Sequence, residues 1–184
     1  MHTQPKSHEK LRIYESQYNT WIKPYFPKID NLRLLDAGCG AGEYLFCAKK
    51  DNPNGFSKIM GIELGILDVH NINKTSDDLI SAVQVDLDKE NALKGFESFH
   101  FIILSEVFEH FEFPAIAMKN IIDVLLPSGR IFLTAQSSEG KLPIRPDEPI
   151  YVSPKGQDIL LSSLNLKTIV KKIDYGRFKI IAEK

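Results

Sequence analysis

The sequence has little cysteine, no excess of charge of one sign and no long apolar run. Its two cysteines, Cys39 and Cys47, offer neither a disulfide framework nor metal-site spacing, which favours a reducing compartment. Lys and Arg (23) nearly balance Asp and Glu (24), so no global basic field would hold a nucleic acid. Apolar runs such as 101–104 are too short to span a membrane. We therefore expect a cytoplasmic protein without a membrane span, and we do not expect nucleic acid as its partner.

What remains is the composition of one ordinary domain: 184 residues, 43% hydrophobic and 26% charged. Strand-like runs alternate with segments of helical spacing, which predicts parallel βαβ units with helices on both faces of a sheet. These five runs are residues 33–37, 57–63, 79–86, 99–104 and 130–136. Two further runs, 166–173 and 178–182, flank a tight turn at 174–176 and predict an antiparallel hairpin.

Turn-forming residues mark where the helices begin and end. Apolar residues recur at helical intervals after Pro114, and the stretch 126–129, Leu-Pro-Ser-Gly, is predicted to end that helix before the fifth strand. Residues 140–149 contain three prolines and are predicted to form a loop. Ser153 then caps a helix that runs to about Ser163.

The most informative stretch is 34–42, Leu-Leu-Asp-Ala-Gly-Cys-Gly-Ala-Gly. An apolar run reaches Asp36 and then a turn in which Gly38, Gly40 and Gly42 lack side chains. A strand that ends in such a turn can bring its backbone against a ligand, as nucleotide pockets require. The spacing is G-x-G-x-G, which differs from the G-x-G-x-x-G of dinucleotide-binding proteins.

This stretch resembles the first motif of the class I S-adenosylmethionine-dependent methyltransferases. That family has a Rossmann-like α/β fold, a seven-stranded sheet with helices on both faces and a C-terminal antiparallel hairpin, so the resemblance covers roughly residues 32–184. It implies that S-adenosyl-L-methionine is the cofactor and that Asp36 helps to hold the methionine amino group. The resemblance also assigns the turn to cofactor binding, through Gly38, Cys39, Gly40 and Gly42. A tight turn without a ligand is the alternative.

Two more acidic residues end predicted strands. Glu63 follows the second strand, where its carboxylate could accept hydrogen bonds from both ribose hydroxyls; a solvated strand-end glutamate is the alternative. Asp86 resembles the family's adenine-contacting residue, with Leu87 against the ring, although it could instead cap the following loop. Leu64 is assigned to the same cofactor site.

The fourth strand leads into residues 105–110, Ser-Glu-Val-Phe-Glu-His. This stretch resembles the S-E-V-x-E-H motif of methyltransferases related to those of quinone biosynthesis. Glu106, Glu109 and His110 stand at i, i+3 and i+4, which predicts that they share one helix face. Ser105 is predicted to lie beside the cofactor and could also cap this helix.

Three interpretations of this cluster remain open: a helix start favoured by capping and the helix dipole, a general base without metal, and a divalent-cation site. The spacing also occurs in small-RNA 2'-O-methyltransferases, whose metal site adds a downstream histidine that this sequence lacks. We therefore predict no bound metal, with His110, Glu106 and Glu109 as the catalytic candidates.

Aromatic and apolar residues in steps of three and four predict one face of an N-terminal helix: Leu11, Tyr14, Tyr18, Trp21 and Tyr25. This face could simply pack over the sheet. Alternatively, residues 1–31 form a lid over the cofactor, ahead of a methyltransferase domain at 32–184.

The predicted activity is in-line transfer of a methyl group to an oxygen of a small or carrier-bound acceptor, with His110 as general base. Two alternatives remain. A nicotinamide-dependent oxidoreductase is opposed by the glycine spacing, by Asp36 and by the hairpin. A non-catalytic cofactor-binding or partner-activating subunit is suggested by how little chain is left to bind an acceptor.

Overall fold

Seven strands form one mixed sheet in the computed structural model, which describes residues 7–51, 55–75, 77–137, 153–174 and 177–184. The strands are β1 (Leu32–Ala37), β2 (Phe56–Glu63), β3 (Ile80–Gln84), β4 (Phe99–Ser105), β5 (Leu125–Gln136), β6 (Lys167–Asp174) and β7 (Arg177–Glu183). Their order in the sheet is β3-β2-β1-β4-β5-β7-β6. The first five pair in parallel, and β7 lies antiparallel between β5 and β6. The predicted seven-stranded sheet with its C-terminal hairpin is confirmed.

Within the described residues, five α-helices accompany the sheet: α1 (Ser7–Gln17), α2 (Glu43–Asp51), α3 (Ile66–Thr75), α4 (Pro114–Asp123) and α5 (Pro154–Ser163). Ser153 caps α5 as predicted, because its hydroxyl accepts a hydrogen bond from the Gly156 N–H at 3.0 Å. The predicted proline-rich loop at 140–149 and residues 175–176 of the hairpin turn lie outside the described residues.

The core consists of two apolar layers, one on each face of the sheet. Side chains alternate between the faces along each strand, so Leu34 joins one layer and Leu35 the other, both fully buried. Helices α4 and α5 cover the Leu35 layer, whereas α2, α3 and the N-terminal segment cover the Leu34 layer. Each fully buried Leu, Ile or Phe contributes about 1.5–3 kcal/mol.

Two predicted boundaries are wrong. Helix α4 already ends at Asp123, and the Leu-Pro-Ser-Gly stretch 126–129 lies within β5, where the register with β4 shifts. Strand β5 has more residues than β4 over this stretch, and it accommodates them as an irregularity of the strand. Ser128 adopts a positive φ of 59°, and its N–H donates a hydrogen bond to the Lys184 carbonyl. The third strand is shorter than predicted, since β3 ends at Gln84.

The N-terminal aromatic residues do not lie along one regular helix. Helix α1 stops at Gln17, and a wider π-helical turn (Tyr18–Ile22) and a 3₁₀ turn (Lys23–Tyr25) follow. Tyr18 is only 2% exposed in the Leu34 layer, whereas Leu11 is 44% exposed and stays outside it. Packing over the sheet therefore describes most of this segment, and its role as a lid stays a prediction.

No helix in the described ranges is long and apolar enough to cross a membrane.

Candidate active site

A cavity of about 320 Å³ opens at the carboxyl edge of the sheet. It lies where the strand order reverses between β1 and β4, which is where open α/β sheets place their ligands. Seven residues predicted for the site line it: Gly38, Glu63, Leu64, Asp86, Leu87, Glu106 and His110. The other predicted residues lie nearby in the chain but do not line it: Asp36, Cys39, Gly40, Gly42, Ser105 and Glu109.

The glycine turn after β1 follows the predicted backbone path. Gly38, Gly40 and Gly42 all have positive φ angles, of 78°, 50° and 85°, which side-chain-bearing residues rarely adopt. A Cβ on Gly38 would lie 2.3 Å from Val107 Cγ2, so this glycine packs against the chain after β4. A Cβ on Gly40 would meet nothing within 4 Å, so its backbone borders open space. The turn therefore packs against Val107 at the Cβ position of Gly38 and borders open space at that of Gly40, while Gly38 also lines the cavity.

Glu63 holds the glycine turn to the end of β2. Its Oε2 accepts a hydrogen bond from the Gly40 N–H at 2.8 Å, and its Oε1 accepts from the N–H groups of Leu64 and Gly65 at 2.9 and 3.1 Å. A carboxylate offers about four acceptor positions, so these three donors leave one unfilled on a residue that lines the cavity. Backbone donors thus fix the Glu63 carboxylate, whereas a solvated glutamate at a strand end would be free to move.

Asp36 is a buried carboxyl group with an unsatisfied oxygen. It is 2% exposed, and its Oδ2 makes no hydrogen bond with the described residues. Burial, and then the charges of Glu43 and Glu63, raise its pKa well above the usual 3.8. A cationic group arriving beside it would both satisfy Oδ2 and favour the ionised form.

The loop after β3 carries two aspartates with different tasks. Asp86 lines the cavity, and its Oδ1 accepts a hydrogen bond from the Asp88 N–H at 3.0 Å. Asp88 accepts from the N–H groups of Glu112 and Phe113, at 3.1 and 2.8 Å, and so binds the chain that follows β4. Asp86 therefore shapes its own turn, while Asp88 holds the loop across the cavity.

The predicted helix at 105–110 is wrong. Glu106 has a φ of 57°, which no α-helical residue adopts, and only Phe108–His110 form a single 3₁₀ turn. Strand β5 prevents a helix from starting here, because the Glu106 N–H donates a hydrogen bond to Thr134 Oγ1 at 2.9 Å. Glu106 and His110 consequently line the cavity, whereas Glu109 is 1% exposed and buried away from them. The shared helix face does not exist.

Ser105 belongs to β4 and does not cap a helix. Its hydroxyl lies 3.1 Å from Thr134 Oγ1 and 3.3 Å from the Tyr44 hydroxyl, within hydrogen-bonding distance of both. The Tyr14 ring packs edge-on against Tyr44, with ring centroids 5.1 Å apart. Ser105 thus joins β4 to β5 and α2, and Tyr44 links this group to α1.

Arg177, which the sequence analysis missed, stands at the start of β7. Its Nε lies 2.8 Å from Glu106 Oε2 in a half-exposed ion pair. Thr134 was missed as well. No local pattern could have found either residue, because each meets its partner only through the pairing of β4, β5 and β7.

Cys39, whose role toward the cofactor stays a prediction, and His100 of β4 both make contacts within the fold. Burial raises the pKa of the Cys39 thiol, and a Cβ on Gly61 would lie 2.6 Å from its sulfur, so Cys39 fills space under the turn. His100 accepts a hydrogen bond from the Arg33 N–H at 3.0 Å within the sheet. Over the described part of the chain, no three His, Cys, Asp or Glu residues are placed to share a metal ion.

Comparison with solved structures finds the same fold in several proteins. One is a chain of the complex between the Haloferax volcanii Trm112 methyltransferase activator and a methyltransferase, with a TM-score of 0.73 and 16% identity over 95% of this chain and 93% of that chain. Another is an S-adenosylmethionine-dependent methyltransferase from Aquifex aeolicus, with a TM-score of 0.68 and 18% identity over 97% and 99% of the two chains.

A third is the trans-methyltransferase CalH in complex with S-adenosylhomocysteine, with a TM-score of 0.74 and 18% identity over 97% of this chain and 60% of CalH. At these identities the likeness shows a shared fold. A search of curated proteins gives no match. A family model described as a methyltransferase domain, however, matches residues 10–175, and this chain therefore belongs to the methyltransferase-domain family.

Proposed function

We propose that this protein transfers a methyl group from S-adenosylmethionine to an oxygen of a small or carrier-bound acceptor. The observation that carries the proposal is the orphaned, buried oxygen of Asp36 beside a glycine turn with open space at Gly40. When bound, S-adenosylmethionine supplies an already activated methyl group. The protein then has to align the two reactants and keep water away from them.

The residues on the donor side fit this cofactor. Asp36 can accept a hydrogen bond from the cationic amino group, which would satisfy the buried Oδ2. The free acceptor position of Glu63 suits a ribose hydroxyl, and Asp86 suits the adenine amino group. Leu64 and Leu87 supply apolar surface at the same cavity.

The residues on the acceptor side support transfer to oxygen. His110 is exposed and lines the cavity together with Glu106. A hydroxyl gains nucleophilicity as it loses its proton, and an imidazole suits that task near neutral pH. Arg177 lies 2.8 Å from the Glu106 carboxylate and so positions this side chain at the cavity.

The Trm112 complex favours a second candidate, in which this protein works with an activator subunit. A protein that is active only with such a partner would bind the nucleoside by itself but would transfer no methyl group by itself. Comparing nucleoside binding with methyl transfer by the purified chain separates the two candidates.

Calorimetry with S-adenosylhomocysteine tests the proposed function. The nucleoside should bind and raise the melting temperature by mass action, and oxidised nicotinamide dinucleotide should do neither. Asp36→Asn should weaken the binding, whereas Asp78→Asn, at an exposed position away from the cavity, should leave it unchanged. Absence of both binding heat and a melting shift in the wild-type protein would contradict the proposal.

A further inference from the structure

The charged groups that line the cavity at the carboxyl edge of the sheet are mostly of one sign. Four carboxylates line it, from Glu63, Asp86, Asp88 and Glu106, and no lysine or arginine of the described residues does. The chain as a whole has a net charge of −1, so the cavity concentrates negative charge on an otherwise balanced molecule. A concave site with this charge attracts cationic ligands and repels anionic ones.

Two of the four carboxylates have a cation beside them that does not itself line the cavity. Glu106 Oε2 lies 2.8 Å from Arg177 Nε, and Asp86 Oδ2 lies 3.5 Å from Lys89 Nζ. The Lys89 side chain is 74% exposed, so solvent weakens the second pair. These two cations offset part of the negative charge at the cavity and leave the other two carboxylates uncompensated.

Glu63 and Asp88 pair with no cation among the described residues. Both accept hydrogen bonds from backbone N–H groups, which orient a carboxylate and leave its negative charge in place. In the proposed function, Asp36 receives the cationic amino group of the methyl donor, and the sulfonium offsets one further charge. At least one negative charge at the cavity is therefore left for the acceptor.

Asp88 carries this charge on the acceptor side. Its oxygens accept hydrogen bonds from the N–H groups of Glu112 and Phe113, at 3.1 and 2.8 Å. This stretch follows directly after His110 and Phe111, which line the same cavity as Asp88. A single small molecule in the cavity can therefore contact both the Asp88 carboxylate and the His110 imidazole.

We propose that the methyl acceptor is a cationic hydroxyl compound, whose ammonium group binds Asp88 while its hydroxyl lies at His110. This inference rests on the proposed function, because it names the substrate class of the same site. Asp36 Oδ2, buried and without a hydrogen bond to the described residues, independently indicates that a ligand binds there.

The ammonium group takes no part in the bonds that change. The hydroxyl oxygen forms the new bond to the methyl carbon, the carbon–sulfur bond breaks with its electron pair going to sulfur, and the hydroxyl proton passes to His110. The contact with Asp88 orients the acceptor for this displacement.

Two sets of matched hydroxyl compounds test this assignment. One set is tyramine, para-propylphenol and para-hydroxyphenylacetate, and the other is ethanolamine, propanol and glycolate. Each set holds a cationic, a neutral and an anionic member, in that order. They are titrated calorimetrically into the full-length chain, saturated with S-adenosylhomocysteine and kept in EDTA so that no metal ion takes the place of the ammonium. In at least one set the cation should bind about tenfold more tightly than the neutral compound, and the anion most weakly.

The substitution Asp88→Asn should remove this preference. The ratio of cationic to neutral affinity should fall about tenfold, whereas Asp78→Asn removes an exposed carboxylate away from the cavity and should not change the ratio. The ratio separates charge from structure, because a loosened loop would weaken the binding of both compounds alike. In the wild-type protein the ratio should also fall as sodium chloride is added, since Asp88 is half-buried and open to screening.

Transfer of a labelled methyl group to the same compounds tests turnover. The values of kcat/KM should follow the order of the affinities, and Asp88→Asn should lower the ratio of the cationic to the neutral value about tenfold. Analysis of the products should find the label on the hydroxyl oxygen.

Three results would overturn the inference: no preference for the cation in either set, the same preference in Asp88→Asn, or a methyl group on the amine nitrogen. If the nucleoside binds and no cation is preferred, only the acceptor assignment fails. If the nucleoside does not bind, the proposed function fails, and the acceptor assignment fails with it.

Discussion

The two sides of the cavity are built by different means. On the donor side, backbone N–H groups fix the acidic side chains: three donate to Glu63, and one donates to Asp86. On the acceptor side, side chains from distant strands fix one another, as Glu106 does with Arg177 and Ser105 with Thr134. The donor side therefore depends on short stretches of sequence, whereas the acceptor side depends on how the strands pair.

The largest expected effect concerns the acceptor side. His110→Ala should lower methyl transfer about 10²- to 10⁴-fold, the usual contribution of a general base, while nucleoside affinity stays unchanged. His70→Ala, at an exposed position on α3, is the control. Full turnover with a lower melting temperature would instead mark His110 as structural.

The next-largest effect is on stability, and it tests the contact between Gly38 of the glycine turn and Val107 after β4. Gly38→Ala should lower the free energy of unfolding by about 2–4 kcal/mol, since it adds overpacking against Val107 to the cost of a positive φ. Gly40→Ala has a positive φ but no neighbour within 4 Å, so about 1–2 kcal/mol is expected. Urea unfolding measures both. Equal losses would show that Val107 yields to the added methyl group.

A smaller effect isolates the donor side. Glu63→Ala should weaken S-adenosylhomocysteine binding by about 1.5–3 kcal/mol, because a charged acceptor of hydrogen bonds is lost. The control Glu90→Ala removes an exposed carboxylate outside the cavity and should leave the calorimetric affinity unchanged. An unchanged affinity of Glu63→Ala would assign this residue to holding the turn alone.

The smallest effect is a change in pH dependence. The pKa of Asp36 is raised in the folded protein. The contribution of this carboxyl group to the free energy of unfolding is therefore complete below about pH 3.8, and it is lost as the pH rises through the folded-state pKa. Asp36→Asn resembles the neutral form and should remove that loss. The ligand-free variant should therefore melt above the wild type at pH 8, and the gap should narrow toward pH 4. A gap that does not vary with pH would contradict this assignment.

The sequence predicted where three residues of the donor side lie, because the determinants of their positions are local. Gly38, Glu63 and Asp86 each follow a strand with a clear apolar pattern, and parallel strands bring such positions to one edge. Their roles toward the cofactor remain predictions.

The acceptor side could not be predicted in the same way. The spacing of Glu106, Glu109 and His110 implies a shared face only if the chain is helical. A hydrogen bond to Thr134, 28 residues later in the chain, holds Glu106 in a left-handed conformation instead. The pair of Glu106 with Arg177 likewise requires β7 to lie beside β5, which no local pattern of residues encodes.

The bridge made by Asp88 has a consequence for the order of events in turnover. Asp88 fixes the N–H groups of Glu112 and Phe113, and its own N–H is held by Asp86, which lines the cavity. A nucleoside bound against Asp86, as we propose, would steady this chain of hydrogen bonds and, through it, the loop on the acceptor side. The methyl donor should accordingly enter before the acceptor, and the spent nucleoside should leave last, which is a compulsory-order kinetic scheme.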